Sequence, residues 1–441
     1  MSAAGAPAQN ILLVMADQFS AHVLEHRDGT DGHFATPNLD RLVGESVVFP
    51  QAYTSFPLCV PARSSMVTGR YPHQLGITGN DHSVHNQPGQ GAESLGHWFA
   101  AHGYDCAYAG KWHAPQPSAG VLDGFDPIHA FGDVGLVEAC TGWLAGRTTE
   151  RPFLLVASFD DPHTICEYAR RQPLPYGNVP PSDVRSAPPL PANHHRAAYA
   201  PEAPVEERRR ASTVYGTLEY GPDDWRRYRQ AYAALVARVD GQIGALLDAV
   251  EGTDTAVVFL SDHGDGDASH GWNQKTSLIQ ESIRVPLLIR SARESPRRIG
   301  HPVPAALALL PTLCHVAGID APPRLPEGSM LTDEPSPVVV QTRFAGGPGP
   351  ETTGRSLLSG AFKYTVYSWG RHREQLHDLA QDPGEQRNLA VEAAYDEVLE
   401  EMRCALLAWC LETGDDGFLK RLILPAAVDP AVRAGIFAVP Y

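Results

Sequence analysis

The chain has 441 residues, of which 43% are hydrophobic, enough to bury a substantial core and too many for bulk disorder. At roughly 100–200 residues per domain, this length fits two or three domains, or one large α/β domain with an appendage. The formal net charge of -16 excludes the broad basic face that nucleic-acid binding needs, but not a small anionic substrate in a locally cationic pocket.

The opening residues lack a basic stretch followed by an apolar one, so no secretory signal is expected. No apolar run reaches the ~18 residues that span a bilayer, so no membrane partner is expected. The 7 cysteines include no CxxC pair, and an odd number of thiols without a leader suggests a reduced, cytoplasmic chain. Cys106, Cys140 and Cys314 stand in apolar settings and read as small core residues.

In chain order, residues 10–15 (NILLVM) form a continuous apolar run closed by Ala16-Asp17-Gln18, which predicts a buried parallel strand with polar groups at its end. Thr36-Pro37 opens a helix through Leu39, Leu42 and Val43. A second apolar run ends at Phe56, and Cys59 follows at a turn. Pro61 then suits the first turn of a helix and Gly69 its end. Residues 93–102 are amphipathic, and residues 105–109 read as a short strand leading to Gly110-Lys111. Residues 153–159 (FLLVASF) form another buried strand, followed by Asp160-Asp161-Pro162-His163.

Residues 173–210 are rich in Pro, Arg and His without periodicity and read as a long surface excursion. Residues 223–250 give the clearest helix, with Tyr228, Tyr232, Leu235, Val239, Ile243, Leu246 and Leu247 at helical spacing. Residues 255–260 (TAVVFL) form a strand ending at Ser261-Asp262-His263-Gly264, and residues 285–289 a further apolar strand. The alternation predicts an α/β fold, a mostly parallel central sheet flanked by helices, over residues 1–335. From 336 to 441 the texture changes to a smaller α+β subdomain. Short strands at 338–343, 355–359, 363–367 and 375–379 suggest an antiparallel sheet, followed by a helix at 392–411. The apolar tail 418–441 should pack on something and leaves room for a homo-oligomer.

Ligands of such folds gather at the carboxyl ends of the strands. Here those ends carry Asp17, Lys111, His163 and Asp262, from four separate parts of the chain. Cys59 lies just ahead of a helix N-terminus, where backbone N–H groups and the dipole favour an anion. Arg63, one turn on, can point back to the same place. By these features alone Cys59 is either a nucleophile or an ordinary cysteine at a helix start, and Asp262-His263-Gly264 either a ligand strand end or an ordinary turn.

The segment Cys59-Val60-Pro61-Ala62-Arg63, followed by Thr68-Gly69-Arg70, resembles the signature of the type I sulfatases of the alkaline phosphatase superfamily. NILLVMADQ, TPNLDRL, GKWH, the Pro-His after a buried strand, SDHGD, KTSLIQESIRVPLLIR and LHDLAQDPGEQRNLA are similar to further family blocks in family order, covering residues 10 to about 390. The resemblance implies a hydrolase of small anionic sulfate esters. In that family the cysteine is oxidised by a formylglycine-generating enzyme to formylglycine, whose hydrated aldehyde attacks sulfur and then expels sulfate.

The resemblance also implies calcium, bound by Asp17, Asp262, the modified Cys59 and in addition Gln18 and His263. Lys111 and His113, two apart, would face the same way in an extended segment. Lys111 would then hold the sulfate, and His113 would take the proton from the formylglycine hydroxyl. His163 and Lys275 are expected on the leaving-group side. Asn80 and His270 are candidates for the pocket lining, as are the ambiguous Asp81 and His82, and His270 could equally cap a loop. Arg170 and Arg171 could bind a second anionic group, such as a sugar carboxylate, or be solvated at a helix start.

Many sulfatases carry Asp-Asp and Asp-Asn at the two ligand-bearing strand ends, where this chain has Asp17-Gln18 and Asp262-His263. These pairs resemble the choline sulfatases and the phosphonate monoester hydrolases. They leave manganese and magnesium open beside calcium, and a phosphonate monoester or phosphodiester hydrolase open as the alternative activity. A non-catalytic binding protein of the same fold is the remaining alternative.

Overall fold

The apolar run at the start of the chain becomes the strand Asn10–Asp17, near the middle of an eight-stranded sheet. The computed structural model describes residues 9–28, 33–80, 93–114, 122–180, 183–332, 335–344 and 351–437. Across the sheet the strands are Arg297–Arg298, Val47–Val48, Leu287–Arg290, Thr255–Ser261, Asn10–Asp17, Phe153–Pro162, Asp105–Gly110 and Asp126–His129. Among these only Leu287–Arg290 runs against the rest. The sequence assigns this strand correctly, but its direction is not visible in a short apolar run. It pairs antiparallel with Thr255–Ser261, and the connection between them, residues 262–286, holds only short elements: the helical turns Ser269–Gly271 and Gln280–Ile283 and the strand Arg284–Val285.

Both faces of the sheet are covered, which is why the central strands are apolar throughout rather than alternating. Ile11, Leu13 and Met15 point into one core with Phe99, Leu309, Leu310 and Leu313. Leu12, Val14 and Ala16 point into the other, with Leu39, Leu136, Tyr232, Leu235 and Ile243. The helices Cys59–Thr68, Leu95–Ala101 and Leu309–Ala317 lie on the first side, and Pro37–Gly44, Leu136–Ala145 and Pro222–Ala249 on the second. Leu136–Ala145 and Leu309–Ala317 escape the sequence reading because short apolar runs do not reveal their period. The expected excursion at 173–210 is corrected as well. Its last part is the first half of the helix Glu202–Tyr215, whose arginines and glutamates pair along its surface.

The C-terminal part is a four-stranded antiparallel sheet of Val338–Phe344, Thr352–Ser359, Phe362–Tyr367 and Glu374–Asp378. Helix Asp396–Thr413 packs on it, and Phe418, Leu419, Leu422 and Ile436 of the apolar tail join that core. This subdomain is joined to the main sheet by buried polar bonds. Gln341 N donates to Ser55 O at 2.9 Å, Thr342 Oγ1 to Thr276 O at 2.5 Å, and Gln280 N to Glu385 Oε2 at 2.7 Å. Lys363 pairs with Glu385 at 2.5 Å and donates to Leu278 O. Tyr53, Leu278, Ile283, Val338, Val340 and Tyr367 form one core shared by the two parts. Among the described residues no helix is long and apolar enough to cross a membrane.

Candidate active site

The strand Asn10–Asp17 delivers Asp17 to the end of the sheet, and its neighbour Thr255–Ser261 delivers Asp262 and His263. Helix Cys59–Thr68 is buried over its whole length and starts at the same place. Asn80 Oδ1 accepts from Val60 N at 3.0 Å, satisfying one of the free donors of that helix start. The Cys59 sulfur therefore lies 3.7 Å from Asp17 Oδ1, 3.3 Å from His263 Nε2 and 3.2 Å from Lys275 Nζ.

Arg63, one turn into the helix, organises the acids. Its Nε donates to Asp262 Oδ2 at 2.7 Å and its Nη2 to Asp17 Oδ2 at 3.4 Å, while Nη1 donates to Lys111 O and Ser158 Oγ, both at 2.8 Å. Lys111 arrives on Asp105–Gly110, and its Nζ is shared by Asp17 Oδ2 and Asp160 Oδ1, each at 2.8 Å. Gly110 permits this approach. Its φ is +92°, and a Cβ there would lie 2.1 Å from Ser158 O.

Each carboxylate divides its two oxygens. Oδ2 faces the cationic side chains, whereas Oδ1 of both acids faces His263 Nε2, at 3.6 Å for Asp17 and 3.7 Å for Asp262. His263 Nδ1 lies 3.0 Å from Gly264 O, an acceptor only, so Nδ1 carries a hydrogen while Nε2 faces the two carboxylates and the Cys59 sulfur. Donor atoms of Asp17, Cys59, Asp262 and His263 all lie within 4.8 Å of one another and are buried. This set fits a divalent cation. It offers two carboxylate oxygens and an imidazole, and oxidation of Cys59 to the aldehyde would replace its one soft atom with oxygen.

The electrostatics set Cys59 apart from the other thiols. Burial pushes Cys106, Cys140 and Cys314 up to about 12. Burial and Asp17 push Cys59 up too, but Lys275, Lys111 and His263 outweigh them and hold it well below the ordinary thiol value. Burial would likewise raise Asp17, yet Lys111, His163, His263 and Arg63 keep it well below the usual carboxylate range. Asp262 moves the other way, because burial and the neighbouring Asp17 exceed the pull of His263 and Arg63.

Comparison with known proteins decides the family. The family model described as Sulfatase matches residues 9–319. The chain belongs to the sulfatase family. A curated relative, the Delta 4,5-hexuronate-2-O-sulfatase of Bacteroides thetaiotaomicron, is 29% identical, covering 93% of this chain and 92% of its own. A solved 2-O GAG sulfatase superposes with a TM-score of 0.81 at 26% identity, over 97% of this chain and 96% of its own. The phosphonate monoester hydrolase of Agrobacterium radiobacter shares the fold with a TM-score of 0.72 at 20% identity, over 92% of this chain and 96% of its own.

Other residues of this sulfatase read from sequence are placed unevenly. His163 directly follows strand Phe153–Pro162, with Nδ1 3.8 Å from Asp160 Oδ1. The reading of Lys111 and His113 as two groups on one side of an extended segment is corrected. The segment is not extended, because the backbone at His113 is left-handed with φ 46°; Lys111 is buried and His113 exposed, although both lie beside the Phe131 ring. Gln18 is also left-handed, with φ 67°. Its side-chain nitrogen donates to Asp265 Oδ2 at 2.6 Å, and its oxygen lies 3.7 Å from Cys166 Sγ. Only its backbone N–H reaches Asp262 Oδ1, at 3.2 Å.

Arg170 pairs with Glu167 at 3.7 Å and lies over the Tyr215 ring at 4.3 Å, whereas Arg171 lines a separate cleft with Tyr168, Tyr220 and Arg227. The two arginines therefore do not meet on one anion. His270 belongs to another cavity, with Arg208, Trp272, Tyr367 and Glu385. Asp81 and His82 lie outside the described residues.

Sequence reasoning passed over Asp160, Asp161 and Asp133. Asp133 accepts from the backbone N–H groups of Asp160 and Asp161 at 2.7 and 3.0 Å, and Asp161 pairs with Arg238 at 3.1 Å. Burial, with Asp133 and Asp160 adding, pushes Asp161 up to about 7 against Thr164 and Arg238, and burial raises Asp133 to about 6. Between their ordinary values near 4 and these raised values the folded chain holds protons that the unfolded chain has released. The contribution of this pair to stability is therefore greatest below that window and declines as pH rises through it. The melting temperature of Asp161→Asn, followed from pH 5 to 8, is expected to fall less steeply than that of the wild type. An unchanged slope would remove Asp161 as its source.

Proposed function

We propose that this sulfatase removes sulfate from a sulfated, anionic sugar, using formylglycine made from Cys59 and a divalent cation, with calcium the first choice. The observation that carries the reading is the meeting of Asp17, His263 and Lys275 around Cys59, each with an atom within 3.7 Å of its sulfur, at a buried end of the sheet. Formylglycine supplies a hydrated aldehyde, whose second hydroxyl allows release of a sulfate that serine would retain. Asp17, Asp262, His263 and residue 59 would hold the cation, which would supply positive charge to stabilise the developing negative charge.

The remaining steps belong to the chain's own side chains. Lys111 and Lys275 flank position 59 and bind sulfate oxygens as negative charge builds there. Arg63 keeps both aspartates oriented. His163, partly exposed at its strand end, donates a proton to the departing alcohol oxygen. Arg170, over the Tyr215 ring, meets an anionic group elsewhere on the sugar, in keeping with the hexuronate substrate named for the Bacteroides relative.

The test combines intact mass with paired substrates. The matured protein should be lighter than its sequence by the difference between thiol and aldehyde, and it should prefer aryl sulfates to the matching aryl phosphonate monoesters. A preference for the phosphonate would replace this reading with the hydrolase suggested by the Asp17-Gln18 and Asp262-His263 pairs. Chelation should remove activity, and calcium should restore it.

A further inference from the structure

Phe131 is 60% exposed, yet it stands beside the reaction centre, with Lys111 Nζ 5.7 Å from its ring centroid. Single exposed apolar side chains are ordinary on protein surfaces. Two features set this one apart. One is its position: the His113 ring lies nearly parallel to it at 6.3 Å, so the two rings form an aromatic rim next to the lysine.

The other is rigidity. Phe131 belongs to the short connection between strand Asp126–His129 and helix Leu136–Ala145. Asp133 in that connection holds the backbone of Asp160 and Asp161, and the His129 ring bridges Ala130 O at 2.7 Å and Val134 O at 3.0 Å. Tyr176 donates to Asp160 Oδ2 at 3.0 Å, and Asp160 itself holds Lys111. The loop that displays Phe131 is thus tied to the backbone of Asp160, the residue whose carboxylate positions the lysine. An apolar ring fixed in this way and left facing solvent is a contact surface prepared for a ligand.

We propose that Phe131 is the specificity platform for the alcohol part of the substrate, and that this part carries a ring whose apolar face packs on the phenyl. The inference rests on the sulfatase reading of the site, with Lys111 holding the sulfate. An ester whose sulfate is gripped by Nζ then places the first ring of its alcohol within reach of Phe131. A pyranose with its axial C–H face and an aryl group both meet the requirement. An acyclic alkyl chain does not.

The experiment uses the matured, metal-loaded enzyme and three probes: an aryl sulfate, a pyranose sulfate and an acyclic alkyl sulfate. Phe131→Ala is expected to lower kcat/KM about tenfold on the two ring esters and less than about twofold on the alkyl ester, with Phe131→Trp close to wild type. A loss on only one ring ester identifies the ring that uses the platform. Because the side chain is mostly exposed, the melting temperature should not move. An unchanged ratio of ring to alkyl kcat/KM in Phe131→Ala overturns the platform while leaving the sulfatase reading intact. Failure of the wild type to turn over any of the three esters overturns that reading, and the platform with it.

Discussion

Cys59→Ala is expected to lower sulfate-ester turnover by roughly four orders of magnitude or more, the scale at which loss of a covalent nucleophile is felt. The substitution removes one sulfur atom from a site lined by polar groups, so the cost to folding should be small beside the cost to catalysis. The mutant should therefore melt close to the wild type and still bind a sulfate ester. Binding isothermal calorimetry and single-turnover kinetics on matched preparations separate the two effects. An alanine variant with near-normal turnover would remove residue 59 from the chemistry altogether.

Asp262→Asn should lose divalent cation and activity together. The amide has nearly the carboxylate's volume, so packing is preserved, but the buried Arg63 loses its closer anionic partner, 2.7 Å away, and keeps only Asp17 at 3.4 Å. Unpairing one side of a buried ion pair costs about 3–5 kcal/mol, and the remaining Asp17 contact should bring the loss toward or below the lower end. Metal content by elemental analysis, read alongside a denaturant titration, distinguishes a ligand from a purely structural acid. Stoichiometric calcium in an active Asp262→Asn enzyme would refute the assignment.

The strand ends that meet at the candidate site were legible because parallel strands buried on both faces leave a simple trace, an apolar run closed by a titratable residue. Asp17, Lys111, His163 and Asp262 all stand out in that way, and Pro61 and Gly69 frame the Cys59 helix, whose end at Gly69 is left-handed as expected. Local backbone conformation is what the sequence concealed. His113 and Gln18 both follow a strand end at positive φ, and no alternation rule survives there. Asp160 was hidden for a different reason. It adjoins Asp161 in the sequence, and only the fold shows that one faces Lys111 while the other faces Arg238. Phe131 carries no signal at all in the sequence, since its meaning lies in being left uncovered.

The join between the two parts of the chain bears on how this enzyme could be altered or inherited. Strand Val338–Phe344 grips Ser55, just ahead of helix Cys59–Thr68, and Thr276, next to Lys275, and Lys363 with Glu385 fastens the segment that follows. The C-terminal part is therefore fastened to the segments that carry Cys59 and Lys275, and its hold bears on how they are placed. Grafting a foreign tail onto the first 335 residues would need matching anchors at Gln341, Thr342, Lys363 and Glu385, so insertions are better tolerated in the loops than at this seam.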